Sequence, residues 1–96
     1  MSTQSTATAE TEHASRYLQQ LCKHWSHKCD TDFTPEAGTV AFPQNRGTLA
    51  LQANDISLTM SLTVPDAQHL SKMQDVVDSH LRRFAFREEL TITWTL

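Results

Sequence analysis

The chain is predicted to form one α+β domain, a single antiparallel sheet of about five or six strands with two helices packed on one face, in the order β-α-β-β-β-β-α-β. Three observations predict it. Two segments repeat apolar residues at three- and four-residue intervals, the middle of the chain alternates apolar with polar residues, and the connections between the alternating runs are too short for parallel pairing. Ninety-six residues suffice for one hydrophobic core, so residues 7–96 are expected to form the domain and residues 1–6 a flexible tail.

Thr6 to Ala9 are small residues that suit a short first strand. Thr11 is a candidate N-cap for a helix from about His13 to Lys28 or Cys29, with Ala14, Tyr17, Leu18, Leu21, Cys22, Trp25 and Cys29 on its apolar stripe. Lys23 and Lys28 fall toward its C-terminal end, where the helix dipole favours cations. A short strand is expected at Thr31 to Phe33 and a turn at Pro35 to Gly38. Val40 and Phe42, then Leu49, Leu51 and Ala53, then Ile56, Leu58, Met60, Leu62 and Val64 mark three strands with one buried face each. Asn54 and Asp55 form the tight turn between the last two. Asp66 caps a second helix, with Ala67, Leu70, Met73, Val77, Leu81 and Phe84 as its buried stripe and an end near Phe86 or Arg87. Leu90 to Leu96 alternate and close the sheet.

Composition narrows the function. A net charge of −3 argues against a general nucleic-acid binder, which needs a basic field to meet phosphates. The longest apolar runs fall short of the roughly 20 residues that span a bilayer, so neither nucleic acid nor membrane is an expected partner. The N-terminal stretch has no basic start and no apolar run, and a cytoplasmic location is the expectation. Cys22 and Cys29 lie seven apart in the first helix, separated by roughly 10.5 Å of axial rise, beyond the reach of a disulfide. They are expected to serve as apolar filling.

The candidate chemistry lies on the two helices. His24 falls about 95° from the centre of the first stripe, at a polar boundary beside Tyr17 and Lys28. Arg16, Gln20, Lys23 and His27 form the outward face, a candidate anion- or partner-binding ridge whose simplest explanation is solvation. His80 falls near the second stripe and continues along one helix edge to Arg83 and Arg87. If the two edges face each other, His24 and His80 converge across a helix–helix groove. No metal is assigned, because Cys22 and His24 point apart and third ligands are missing. Haem or another metal group remains open, since axial donors, aromatics and basic residues are present as types. No serine-hydrolase elbow or phosphate loop occurs, so catalysis is the least supported class.

The segments Arg16 to Lys28, Val64-Pro65-Asp66-Ala67 and Ser79 to Leu90, followed by Trp94, together resemble a bacterial family catalogued as domain of unknown function 2218, over about residues 7 to 96. The resemblance implies a small α+β domain linked by fusion or neighbourhood to siderophore-interacting flavin reductases. It marks His24, His27, Lys28, His80, Arg83 and Arg87 as the family's characteristic polar positions.

The favoured reading is therefore a non-enzymatic binding or accessory module for iron, siderophore or haem handling, using His24, His80, Arg83, Arg87, Tyr17 and Lys28, with such a flavin reductase as its partner. The alternative is a protein–protein interaction or homodimerisation module without a small ligand. The third is a small enzyme with a histidine general base. Monomer and homodimer are both open.

Overall fold

A computed structural model describes residues 3–43 and 47–95. The chain runs through β1 (Thr3–Glu10), α1 (Ala14–Trp25), β2 (Asp30–Phe33), β3 (Ala37–Phe42), β4 (Gly47–Ala53), β5 (Ser57–Val64), a 3-10 turn (Ala67–His69), α2 (Leu70–Phe84) and β6 (Thr93–Thr95). The strands form one antiparallel sheet in the order β2-β3-β4-β5-β1-β6. Element order and sheet type follow the sequence expectation.

Period-two alternation decides which face is covered. Ala7 and Ala9 of β1, Val40 of β3, Leu49 and Leu51 of β4, and Leu58, Met60, Leu62 and Val64 of β5 are buried. Against them α1 sets Leu18, Leu21 and Cys22, and α2 sets Met73, Val77 and Leu81. Burying these side chains stabilises the domain by roughly 1.5–3 kcal/mol for each large aliphatic residue. Gly38 lets α1 approach the sheet: a Cβ there would lie 2.8 Å from Cys22 Sγ and 3.1 Å from Phe33 Cβ. No helix among the described residues is long and apolar enough to cross a membrane.

Several local expectations differ. β1 begins at Thr3 and pairs over eight positions with β5, so Thr3 to Thr6 lie in the sheet rather than in a tail. Met1 and Ser2 lie outside the described residues, as does Leu96. Ser5 is held in the sheet by donating to Thr95 O at 2.8 Å and accepting from Gln74 Nε2 at 3.0 Å. Ile56 is 71% exposed instead of buried, because it sits inside the β4–β5 turn, where Asn54 N–H donates to Ser57 O. Asn54 Oδ1 accepts from the backbone N–H groups of Ile56 and Ser57 and fixes that turn.

The helices are shorter than expected at their C-terminal ends. After Trp25 the chain tightens, and the N–H groups of Lys28 and Cys29 both donate to Trp25 O. α2 stops at Phe84, where Ala85 leaves helical geometry. At its start Asp66 Oδ1 accepts from Gln68 N–H as a cap, but the first turn is 3-10 and Ala67 is exposed. Thr11 does receive the His13 N–H at 3.0 Å, although regular helix begins only at Ala14. The last strand shrinks to Thr93–Thr95, and Trp94 Nε1–H ties it to α2 by donating to Asp78 Oδ1 at 2.8 Å.

Candidate functional site at the helix seam

α1 and α2 lie in contact over the sheet, with their stripes turned toward it. The residues flanking the stripes therefore meet along a seam between the helices. At the C-terminal end of α1 this brings His24 and His80 together, with ring centres 5.0 Å apart. The rings of Phe84 and Trp25 lie 5.9 Å from His24 and 5.3 Å from His80, respectively. His24 is exposed and His80 half-buried.

The backbone determines the form of His80. Its Nδ1 lies 2.7 Å from Val76 O, and since a carbonyl only accepts, Nδ1–H is the donor. In the neutral ring Nε2 is then the free acceptor. Burial holds the His24 pKa below its ordinary value, and His80, Arg83, Lys28 and His27 add repulsion in that order. Every one of these charged neighbours is cationic or becomes so on protonation. These surroundings therefore disfavour the protonated form of His24 and suit an anionic visitor. Among the described residues no three His, Cys, Asp or Glu side chains converge on a metal position. Cys22 and Cys29 are free, and burial pushes the Cys22 thiol up to about 11, away from thiolate chemistry.

The other end of the seam is organised by Glu88, just beyond α2. Its carboxylate accepts hydrogen bonds from the Tyr17 and Thr11 hydroxyls, the latter at 3.0 and 3.1 Å to its two oxygens. Those bonds, Tyr17's first, hold the Glu88 carboxyl below its ordinary value. Burial, with Glu88 in support, pushes the Tyr17 phenol up to about 12. Beside this network lies a cavity of about 360 Å³ lined by Tyr17, Gln20, Phe84, Phe86, Arg87 and Glu88, with His13 and Arg16 completing it. The Arg87 guanidinium lies 5.4 Å from the centre of the Phe86 ring.

The structure thus divides the residues singled out from the sequence. His24 and His80 meet, with Arg83 and Lys28 in their electrostatic environment. Tyr17 and Arg87 instead line the cavity with Arg16. Lys23 and His27 are exposed, as their helical angles require. Gln20 departs from the outward face expected for it: it is half-buried, and its Oε1 is buried without a hydrogen-bond partner. Glu88 stands in the charged run Arg87-Glu88-Glu89, which by itself gives no sign of this role. Its partners are 71 and 77 residues away, and no local spacing signals such contacts.

A bacterial family described as "Uncharacterized protein conserved in bacteria (DUF2218)" matches residues 6–95. The fold is similar to the NMR structure of PA4090 from Pseudomonas aeruginosa, with a TM-score of 0.78 and 41% sequence identity over 96% of this chain and 94% of that one. No curated protein matches.

Proposed function

This chain belongs to the DUF2218 family of bacterial proteins, and we propose that it is a non-enzymatic binding module taking a small anionic ligand at the His24–His80 end of its helix seam. An anionic iron chelate or haem is the ligand class best suited to that end. One observation carries the reading: two adjacent imidazoles lie in the field of Arg83, Lys28 and His27, with no carboxylate among the charges that act on His24. A bare cation would meet repulsion there. An anionic chelate would relieve it, offer its iron to the free His80 ring nitrogen, and find the aromatic edges of Trp25 and Phe84 as a shelf.

Spacing limits how an iron-bearing ligand would sit. Two histidines gripping one iron from opposite sides hold their ring centres roughly 6 Å apart, given metal–nitrogen bonds of about 2.0–2.1 Å. At 5.0 Å the pair is too close for a porphyrin to slide between the rings. One-sided approach fits better, with His80 Nε2 as donor and Arg83 and Lys28 facing carboxylates. Bound haem would supply the redox or ligand-carrying iron.

Titration with haem and with ferric citrate, followed by absorbance and thermal shift, tests the proposal. Wild type should saturate, and His24→Ala and His80→Ala should each weaken binding about tenfold or more, equivalent to about 1.4 kcal/mol. NMR should also show the His24 midpoint rising when an anion binds. Identical thermal shifts for wild type and both variants with every ligand would remove the reading.

A further inference from the structure

Among the described residues two large apolar side chains stand out in solvent, Ile56 at 71% exposure and Phe86 at 75%, and both lie on one surface at the Tyr17 end of the seam. Hydrogen bonds connect them. Thr11 N–H donates to Ile56 O at 3.0 Å, the Thr11 hydroxyl donates to the Glu88 carboxylate, and Phe86 stands two residues before Glu88. Two hollows flank this line, one lined by Ile56 and the other by Phe86, with His13 and Glu88 as their common wall. Single apolar residues scattered over a surface are ordinary, but a flanking pair on one surface marks a place where something docks.

Charge divides the surface at the same wall. Glu10 and Glu12 accompany Ile56, whereas Arg16 and Arg87 accompany Phe86. All four are exposed, and among the described residues none lies within salt-bridge distance of an opposite charge. Each half therefore carries what the other lacks. A half-turn about the His13–Glu88 wall brings an apolar side chain with carboxylates over an apolar side chain with guanidiniums, and does so twice, which is the condition for an isologous contact. A foreign partner would have to present that same arrangement; a second copy of this chain already does. The hollow of about 360 Å³ beside Phe86, walled also by Phe84, offers a seat for the incoming isoleucine.

We propose that this surface is a homodimer interface, in which Ile56 of each copy packs against Phe86 of the other while Glu10 and Glu12 face Arg16 and Arg87 across a twofold axis. His24 and His80 take no part in it, so the dimer and the ligand reading can fail separately.

Sedimentation of the whole protein over a range of concentrations tests the interface. Wild type should dimerise with a dissociation constant of about 100 µM or tighter, and Ile56→Ser and Phe86→Ser should each weaken it about tenfold or more. Raising the salt concentration should weaken it too, because the charged rim is exposed. His24→Ala should leave it unchanged. The decisive arm reverses one half at a time: Glu10→Lys with Glu12→Lys makes both halves basic, and Arg16→Glu with Arg87→Glu makes both acidic. Each reversed protein alone should be monomeric, and an equimolar mixture should form a heterodimer that Phe86→Ser in either member weakens. A wild type that stays monomeric up to about 1 mM would overturn the proposal. So would reversed proteins that dimerise alone as well as wild type does, or wild-type assemblies that grow past the dimer.

Discussion

The two ends of the helix seam use different residue types for different purposes. At the Tyr17 end the hydroxyls of Thr11 and Tyr17 converge on Glu88, tying the entry to α1, the helix itself and the chain after α2 into one strap. At the His24 end His80 is anchored by its bond to Val76 O, and the charges that act on His24 among the described residues are all positive. Polar groups that satisfy one another mainly stabilise the fold. Those left short of a partner and open to solvent retain capacity for a ligand.

The largest effect should come from disturbing both ends at once. Gly38→Ala places a methyl against Cys22 Sγ and Phe33, pushes α1 off the sheet, and should cost about 1–3 kcal/mol in denaturant unfolding. If the seam depends on how α1 is seated, the variant should also change the resonances of both His24 and Tyr17. A shift at only one end would show that the ends are mechanically separate.

Removing the charge from the strap should cost less. Glu88→Gln keeps an acceptor but loses charge-assisted bonds, and should destabilise the protein by about 1 kcal/mol near neutral pH. Because the folded carboxyl lies below its ordinary 4.5, its contribution is present above that value and lost as pH falls through the folded pKa. The variant should therefore show a shallower loss of stability in acid melts. Tyr17 is the chain's sole tyrosine, so an ultraviolet titration reads it directly. Its midpoint should lie near 12 in wild type and fall toward 10.0 in Glu88→Gln, staying above it because burial is the larger cause. Since this pKa is raised on folding, the phenol's contribution is intact below 10.0 and disappears as pH rises toward 12.

The smallest effect belongs to the histidine end. His24 should titrate below 6.5 by NMR, and His80→Ala should move it upward by removing part of the repulsion. Stability linked to His24 is present above 6.5 and declines as pH falls through its depressed midpoint. An unchanged His24 midpoint in His80→Ala would show that proximity of the rings does not couple them.

Most of the architecture was legible because burial imposes periods on the sequence. Leu49 and Leu51, or Met73, Val77 and Leu81, lie where their spacing puts them. β1 was only faintly visible because its buried face consists of Ser5, Ala7 and Ala9, whose small side chains offer little contrast with the threonines between them. Ile56 misled for the opposite reason: its β-branched apolar side chain matched the strand period, while Asn54 had already claimed the backbone for a turn. Helix angles brought His24 and His80 to facing edges, but not Glu88 to Tyr17, because the chain after Phe84 follows no helical period. The cavity was hidden for the same reason.

β1 also gives the domain an assembly order. It is first in the chain but lies between β5 and β6, pairing with Val64 at one end of its length and with Trp94 near its middle. On a ribosome β1 emerges long before either neighbour, so the last sheet closure must await the segment around Trp94. Such distant pairings slow folding and expose an unpaired strand meanwhile. Placing small hydroxylated residues there, rather than valines and isoleucines, gives the waiting strand little tendency to aggregate.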